Sequence, residues 1–321
     1  MKKHFLFALV ACAFLASCHT TEKTAIAYHQ ANQMDHERIL SLKASGQPDI
    51  WPEVFERYCS IRGRNEEMSH MPDRVKKNVH YVKLDLEEEL NGARNKAEAY
   101  LEAKIEQDLR KDGADIEKTE RLVWQLGRVN PSNTRLNEFK TVVLMRKTND
   151  LLIGCTPRRG LRLPKGVEQI ILDFDANELA AIPARVHLQK QRGVKNEVVA
   201  NVVIGRCEAG ADRDDAVSFK ESNNGKTATV TDHTLSKTAT IKGSLNLYDA
   251  KKGDLLVSIP LEANSKFSYN YSTVEGAKEA CSQQTLERLS QQPLPFPTDA
   301  SIIADAAKEF NNLVAKTLSG K

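Results

Sequence analysis

The period of the apolar residues changes near the middle of this 321-residue chain, and that change limits what it can fold into. Up to about Lys147, apolar residues return every three or four positions, the spacing that gathers them on one face of an α-helix. The pattern is plainest from Val82 to Lys111, where Leu86, Leu90, Ala93, Ala97, Leu101, Ile105 and Leu109 form one stripe and Gly113 ends it. Beyond about Leu151 an alternation of period two takes over. Ala239, Ile241, Gly243, Leu245 and Leu247 alternate with polar residues, and Asp249 to Asp254 supplies Gly253 for a turn into Leu255 to Pro260. Helices first and strands afterwards predict an α+β fold. Residues 21–150 form a helical domain, and residues 151–321 an antiparallel sheet domain closed by two helices.

Within the first part, Ala25, Tyr28, Ala31, Ile39 and Leu42 predict one helix, broken at Ser45-Gly46-Gln47-Pro48-Asp49. A second, capped by Asp49, carries Val54, Phe55, Tyr58 and Ile61. Two more are expected at Ile116 to Leu126 and from Ser132. The pairs at Ala25 to Arg62 and Glu120 to Lys140 resemble tetratricopeptide-type helical pairs. The Trp, Leu-Gly and Tyr positions of that repeat do not recur every 34 residues, so a helical bundle and a TPR-like solenoid both fit. In the second part, Gln169 to Phe174, Asn196 to Cys207 and Ala216 to Lys220 read as strands. The closing helices are expected at Val274 to Ser290 and at Ser301 to Leu318, the latter capped by Thr298 or Asp299.

The first seventeen residues have the layout of an export signal: Lys2 and Lys3, an uncharged apolar run from Phe5 to Leu15, then Ala16 and Ser17. Eleven apolar residues in a helix cover roughly 16 Å, about half a bilayer's hydrocarbon core, so the run is a signal rather than a span. Leu15-Ala16-Ser17-Cys18 resembles the bacterial lipobox. The resemblance implies cleavage before Cys18 and three acyl chains on that cysteine, with residues 18–20 as the lipid anchor. Two or more chains hold a soluble domain on a membrane nearly permanently. His19 in the following position implies sorting to the outer membrane.

Removing the signal leaves 304 residues with a formal charge of +1, the +3 of the whole chain less Lys2 and Lys3. That balance argues against a nucleic-acid binder, which usually carries a strongly basic domain or stripe. Four cysteines remain besides Cys18: Cys59, Cys155, Cys207 and Cys281. In an exported chain an even four is compatible with two disulfides, in any of three connectivities, and equally with four separate buried thiols. The wide spacing matches neither a Cys-x-x-Cys motif nor a zinc ribbon.

No motif with catalytic spacing is present, and no cofactor or metal is expected. Asp173-Phe174-Asp175-Ala176-Asn177-Glu178 resembles the opening of a calcium loop, but Glu178 replaces its turn glycine and Ala184 its bidentate Glu. Asp212, Asp214 and Asp215 read as a solvated loop, and His29 and His36 as surface histidines. Asp232-His233 with Ser218, Ser222 or Ser236 contains the residue types of a hydrolase triad without a Gly-x-Ser-x-Gly elbow. The basic run Arg158, Arg159, Arg162 and Lys165 reads as a loop or domain boundary, able to meet anionic lipid or an acidic partner. The expected protein is a noncatalytic envelope lipoprotein whose helical part docks another envelope protein or serves as a scaffold. The other reading is an envelope glycan- or peptidoglycan-binding protein or hydrolase working through the sheet domain, although aromatic residues make up only 6% of the chain.

Overall fold

The computed structural model describes the backbone of residues 2–82, 84–111, 113–190 and 194–320, and side chains from Thr21 onward. The chain is α+β and divides into two units, residues 1–136 and 137–321. In this division the helix before Leu151 is counted with the sheet unit.

The first unit is helical. Helix α1 spans Lys2–Ser45, and the expected signal and Cys18 fall on its opening stretch, where side chains lie outside the described residues. After a 3-10 turn at Pro48–Ile50 comes α2, Trp51–Ser69, with no side-chain cap from Asp49. Helices α1 and α2 run antiparallel, shown by contacts whose numbers climb on one helix as they fall on the other. Arg38 pairs with Glu53, Arg57 bridges Glu53 and Asp35, and Asn32 donates to Asn65. The guanidinium of Arg38, then that of Arg57, holds Glu53 below the usual carboxylate range. Helix α3 is Asp73–Asn78 and α4 is Glu87–Leu109. The α4 stripe lies where its period places it: Leu90, Ala93, Ala97, Leu101 and Ile105 are all buried. The helix starts five residues later than expected, with three glutamates in its first turn facing the positive end of the helix dipole. Asp115 caps α5, Ile116–Val129, by accepting from the Lys118 amide at 3.0 Å.

Helix α6, Leu136–Lys147, begins at the last residue of the first unit and otherwise lies in the second, where β1, Asp150–Pro157, follows it on the short alternation Leu151, Ile153 and Cys155. Helices α7, Val167–Ile171, and α8, Ala176–Ala181, lead to β2, Arg185–His187. The expected strand at Gln169 to Phe174 is therefore corrected: Gln169 to Ile171 end helix α7, where the Ile170 amide donates to the Gly166 carbonyl at 3.0 Å, the bond to the fourth residue back that a helix makes, and 172–174 follow outside any strand. Then come β3, Val198–Ala209; β4, Arg213–Asn223; β5, Lys226–Asp249; and β6, Leu255–Gly276. The order is β2-β1-β3-β5-β4, with β6 also on β5.

The sheet is mixed rather than antiparallel throughout. β1 pairs parallel with both β2 and β3, because the α7–α8 crossover returns the chain to the same end of the sheet. The predicted hairpin is present, with Tyr248 opposite Leu255, but it continues to Ala228 opposite Gly276. At roughly 3.3 Å per residue, β5 has a contour of about 80 Å. Strand β6 covers one edge of β5 along nearly its whole length, while β3 and β4 lie end to end along the other, broken at Gly210–Asp212. This continuation replaces the front of the expected Val274 to Ser290 helix. Only α9, Gln283–Leu289, remains of it, followed by α10, Asp299–Ser319, with Thr298 as its cap.

The two closing helices bury opposite faces of the long strands. Along β5 the buried apolar residues are Ala228 and Val230, then Leu235, Ala239, Ile241, Leu245 and Leu247. Even positions give way to odd ones with no bulge between them, so the buried face changes sides. The odd face packs on α10 through Ile302, Ala306, Phe310 and Val314, within the main core. The even face of the far end packs on Ala280, Cys281 and Leu289.

Candidate functional site

The far end of the sheet is a three-stranded arm of β4, β5 and β6, and its register decides which side chains meet. Ala216, His233 and Tyr271 are level, as are Ser218, Thr231 and Thr273. With Asp214 and Tyr269 these residues share the odd face, away from α9. The His233 imidazole is held from three sides. Its Nδ1–H donates to the Asp214 carboxylate at 3.0 Å, and Nε2 lies 3.3 Å from the Thr273 hydroxyl. The Tyr271 ring stacks on it at 4.5 Å and 3°. Tyr269 follows Tyr271 at 6.4 Å and anchors its own hydroxyl by donating to the Gln292 carbonyl at 2.7 Å.

The opposite face is closed. Asp232 accepts from Ser272 at 2.6 Å and pairs with Arg288 of α9 at 3.3 Å. Glu221 accepts from the Thr285 hydroxyl and the Ser282 amide, and these bonds, the Thr285 one foremost, hold it below the usual carboxylate range. Of the residues considered for a triad, Asp232 therefore faces away from His233. Ser218 bonds to Thr231 at 2.8 Å, Ser222 lies far along β4, and Ser236 is on the even face. The hydroxyl that reaches His233 belongs to Thr273, which is exposed on a strand surface. This arrangement locks an imidazole and two phenol rings into a polar aromatic platform bordered by hydroxyls. Ring stacking and hydrogen bonding are the interactions such a surface offers.

The other expected positions are dispersed. Arg158, Arg159, Arg162 and Lys165 are exposed on the loop after β1, and none makes an ion pair among the described residues. That loop lies inside the sheet unit and is not a domain boundary. Leu161 and Leu163 pin it to the core, and the Arg158 amide donates to the Ile204 carbonyl at 2.8 Å. The acidic stretch at Asp173 to Glu178 is a helix start rather than a cation loop. Asp175 accepts from the amides of Asn177 and Glu178, and Glu178 reaches back to the Asp175 amide, a capping box for α8. Among the described residues no three His, Cys, Asp or Glu side chains converge to hold a metal.

Cys59, Cys155, Cys207 and Cys281 stand as free thiols in this structure. The register of the sheet explains three of them. Cys155 is level with Val202, five residues from Cys207, which is about 16 Å along the strand. Cys281 packs beside Val230, eleven positions down β5 from the Ile241 that faces Cys207. A disulfide needs Cα atoms within about 7 Å. Burial pushes the Cys155 thiol up to about 12, so it is protonated and inert as a nucleophile. Cys18 lies on the stretch whose side chains are outside the described residues. Among the described residues no helix is long and apolar enough to cross a membrane.

No family model matches the chain, and no curated protein matches it in sequence. Among solved structures, it is similar to a neuraminyllactose-binding hemagglutinin homolog from Helicobacter pylori, at 10% identity over 52% of this chain and 84% of that one, with a TM-score of 0.29. It is also similar to a minor lipoprotein from Acinetobacter baumannii, at 8% identity over 53% and 90%, with a TM-score of 0.18.

Proposed function

We propose that this protein is a bacterial cell-envelope lipoprotein, held on a membrane by acyl chains on Cys18, that binds another envelope component rather than transforming a substrate. The observation that carries the proposal is how soon folded structure follows the lipobox. Four residues after Cys18, Glu22 accepts from Asn78 of α3 at 2.7 Å, and three later Ala25 is buried against Val75 and Val79. Along a helix those seven residues cover about 10 Å. The anchor therefore leads straight into the helical unit, which stays at the membrane surface while the sheet unit offers the His233 platform as a binding face.

The partner is a protein docked on the helices or the platform, with the basic loop from Arg158 to Lys165 as a further contact. A second reading is favoured by the platform itself: rings of Tyr269, Tyr271 and His233 edged by threonine hydroxyls also suit a glycan of the envelope. The test is mass spectrometry of the N-terminal peptide of membrane-extracted protein, followed by crosslinking of the wild type and of H233A and Y271A. A triacylated Cys18 is the expected result, with a crosslinked partner lost in both variants. An unmodified Cys18 overturns the anchor. A lipidated protein whose crosslinks are indifferent to both substitutions overturns the platform.

A further inference from the structure

In the helical unit, α2, α4 and α5 enclose a cleft of about 680 Å³. Each helix sends one arginine into its lining: Arg62, Arg94 and Arg128 respectively. Three guanidiniums carry three fixed positive charges, since arginine does not deprotonate in proteins. Glu56 is the one carboxylate among the described residues that line the cleft, and it lies 3.3 Å from Arg128. Among the described residues Arg62 has one loose partner, Glu87 at 3.9 Å. Arg94 stands over the Phe55 ring at 5.8 Å, and its Nε is buried with no hydrogen-bond partner among the described residues. Like charges drawn together repel, and a partly desolvated guanidinium with an unused donor adds to that cost. An anion in the cleft would relieve both.

We propose that this cleft is a binding site for a small multivalent anion bearing phosphate or carboxylate groups, gripped by Arg62, Arg94 and Arg128. Planar guanidinium forks match both kinds of oxyanion, which is why arginine rather than lysine suits such a grip. The thiol at the cleft wall, Cys59, has no chemical part in it. Burial pushes its titration up, the three arginines pull against that, and the net direction is upward, leaving it protonated at neutral pH. The site is independent of the His233 platform and of the lipid anchor.

The structure also supplies the reporter. Trp124 lies beneath Arg128, 4.9 Å from its guanidinium, and Trp51 is the only other tryptophan in the chain. In a W51F background of the full chain, titration with citrate and with pyrophosphate is expected to change Trp124 emission saturably. The tighter of the two identifies the favoured oxyanion. The apparent Kd is expected to rise at least tenfold in R94Q, and likewise in R62Q, whose half-exposed side chain leaves little packing to lose. A control, R158Q/R159Q, is expected to bind as the parent does. A linear, nonsaturating response to both anions overturns the proposal, as does saturation that R62Q and R94Q leave unchanged or that the control weakens equally.

Discussion

Substituting Gly243 by alanine tests the packing of α10 against the sheet. Gly243 lies on the odd face of β5, and a Cβ built there would stand 2.5 Å from the Val203 carbonyl oxygen and 3.2 Å from Phe310 Cζ. Ordinary contact begins at 3.4 Å, so β3 and β5 must part by nearly 1 Å, while Phe310 must yield a few tenths. The phenyl ring is fully buried, and the carbonyl is backbone in a paired strand next to the bulge at Ile204/Arg206. Neither moves cheaply, and overpacking of this kind costs about 1–3 kcal/mol. Against it stands a gain of about 0.5–1 kcal/mol from replacing a strand glycine. A net loss of about 0.5–2 kcal/mol is therefore expected. Hydrogen exchange measured on peptides covering residues 198–209 and 239–249 localises the loss. Both tryptophans are in the helical unit, so their fluorescence does not report on the sheet directly. Unchanged or slower exchange across both strands would refute the packing argument.

Asp175→Ala removes the capping box of α8 and is expected to cost about 1 kcal/mol locally, read as faster exchange at residues 176–181, while added calcium leaves the wild type unchanged. Asn311→Ala strips the buried Ile171 carbonyl of its 2.9 Å donor. Leaving that acceptor unpaired is expected to lower the stability of the sheet unit by about 1–3 kcal/mol in urea denaturation. Lys237 pairs with Asp212 and Asp299, and these bonds, the Asp212 one first, raise its pKa above the ordinary 10.5. A folded-state pKa raised in this way adds stability below the unfolded value and loses it as pH rises through the folded one. Wild type is therefore expected to lose stability more steeply than K237M above about pH 10.5, and parallel curves would contradict the ion pairs.

Where the apolar period was long and uniform, the sequence was legible. The α4 stripe from Leu90 to Ile105 occupies the buried positions it predicted, since a helix of several turns needs no outside help to define its face. Short apolar runs were not legible. Ile170-Ile171-Leu172 suits a strand as well as a helical turn, and only its packing beside α10 decides. The far half of β6 misled for another reason. Tyr269, Tyr271 and Thr273 are good strand formers on the face away from α9, but the alternate positions Asn270 and Ser272 on the α9 face are polar, so no apolar alternation marks the strand. The His233 platform was half visible. The sequence shows Asp232 beside His233, but the partners Asp214, Tyr271 and Thr273 lie 19 to 40 residues away and are brought in by register alone. The arginine cleft left no local signal, as Arg62, Arg94 and Arg128 are each ordinary surface positions on separate helices.

The change of buried face along β5 has a consequence for how the long hairpin keeps its alignment. A ladder of some twenty residue pairs with a uniform face has few ways to detect sliding by two positions, because each side chain returns to the same side. Here α9 grips one face and α10 the other, and the chain between Leu289 and Pro297 passes from one to the other, tied by Tyr269 to Gln292 and by Lys237 to Pro297. A slide in either direction would take Gly243 out from under Phe310 and Gly276 away from the Thr227 carbonyl, where no Cβ fits. The strand pair is keyed at both ends and from both sides, like a zip that closes in one alignment only.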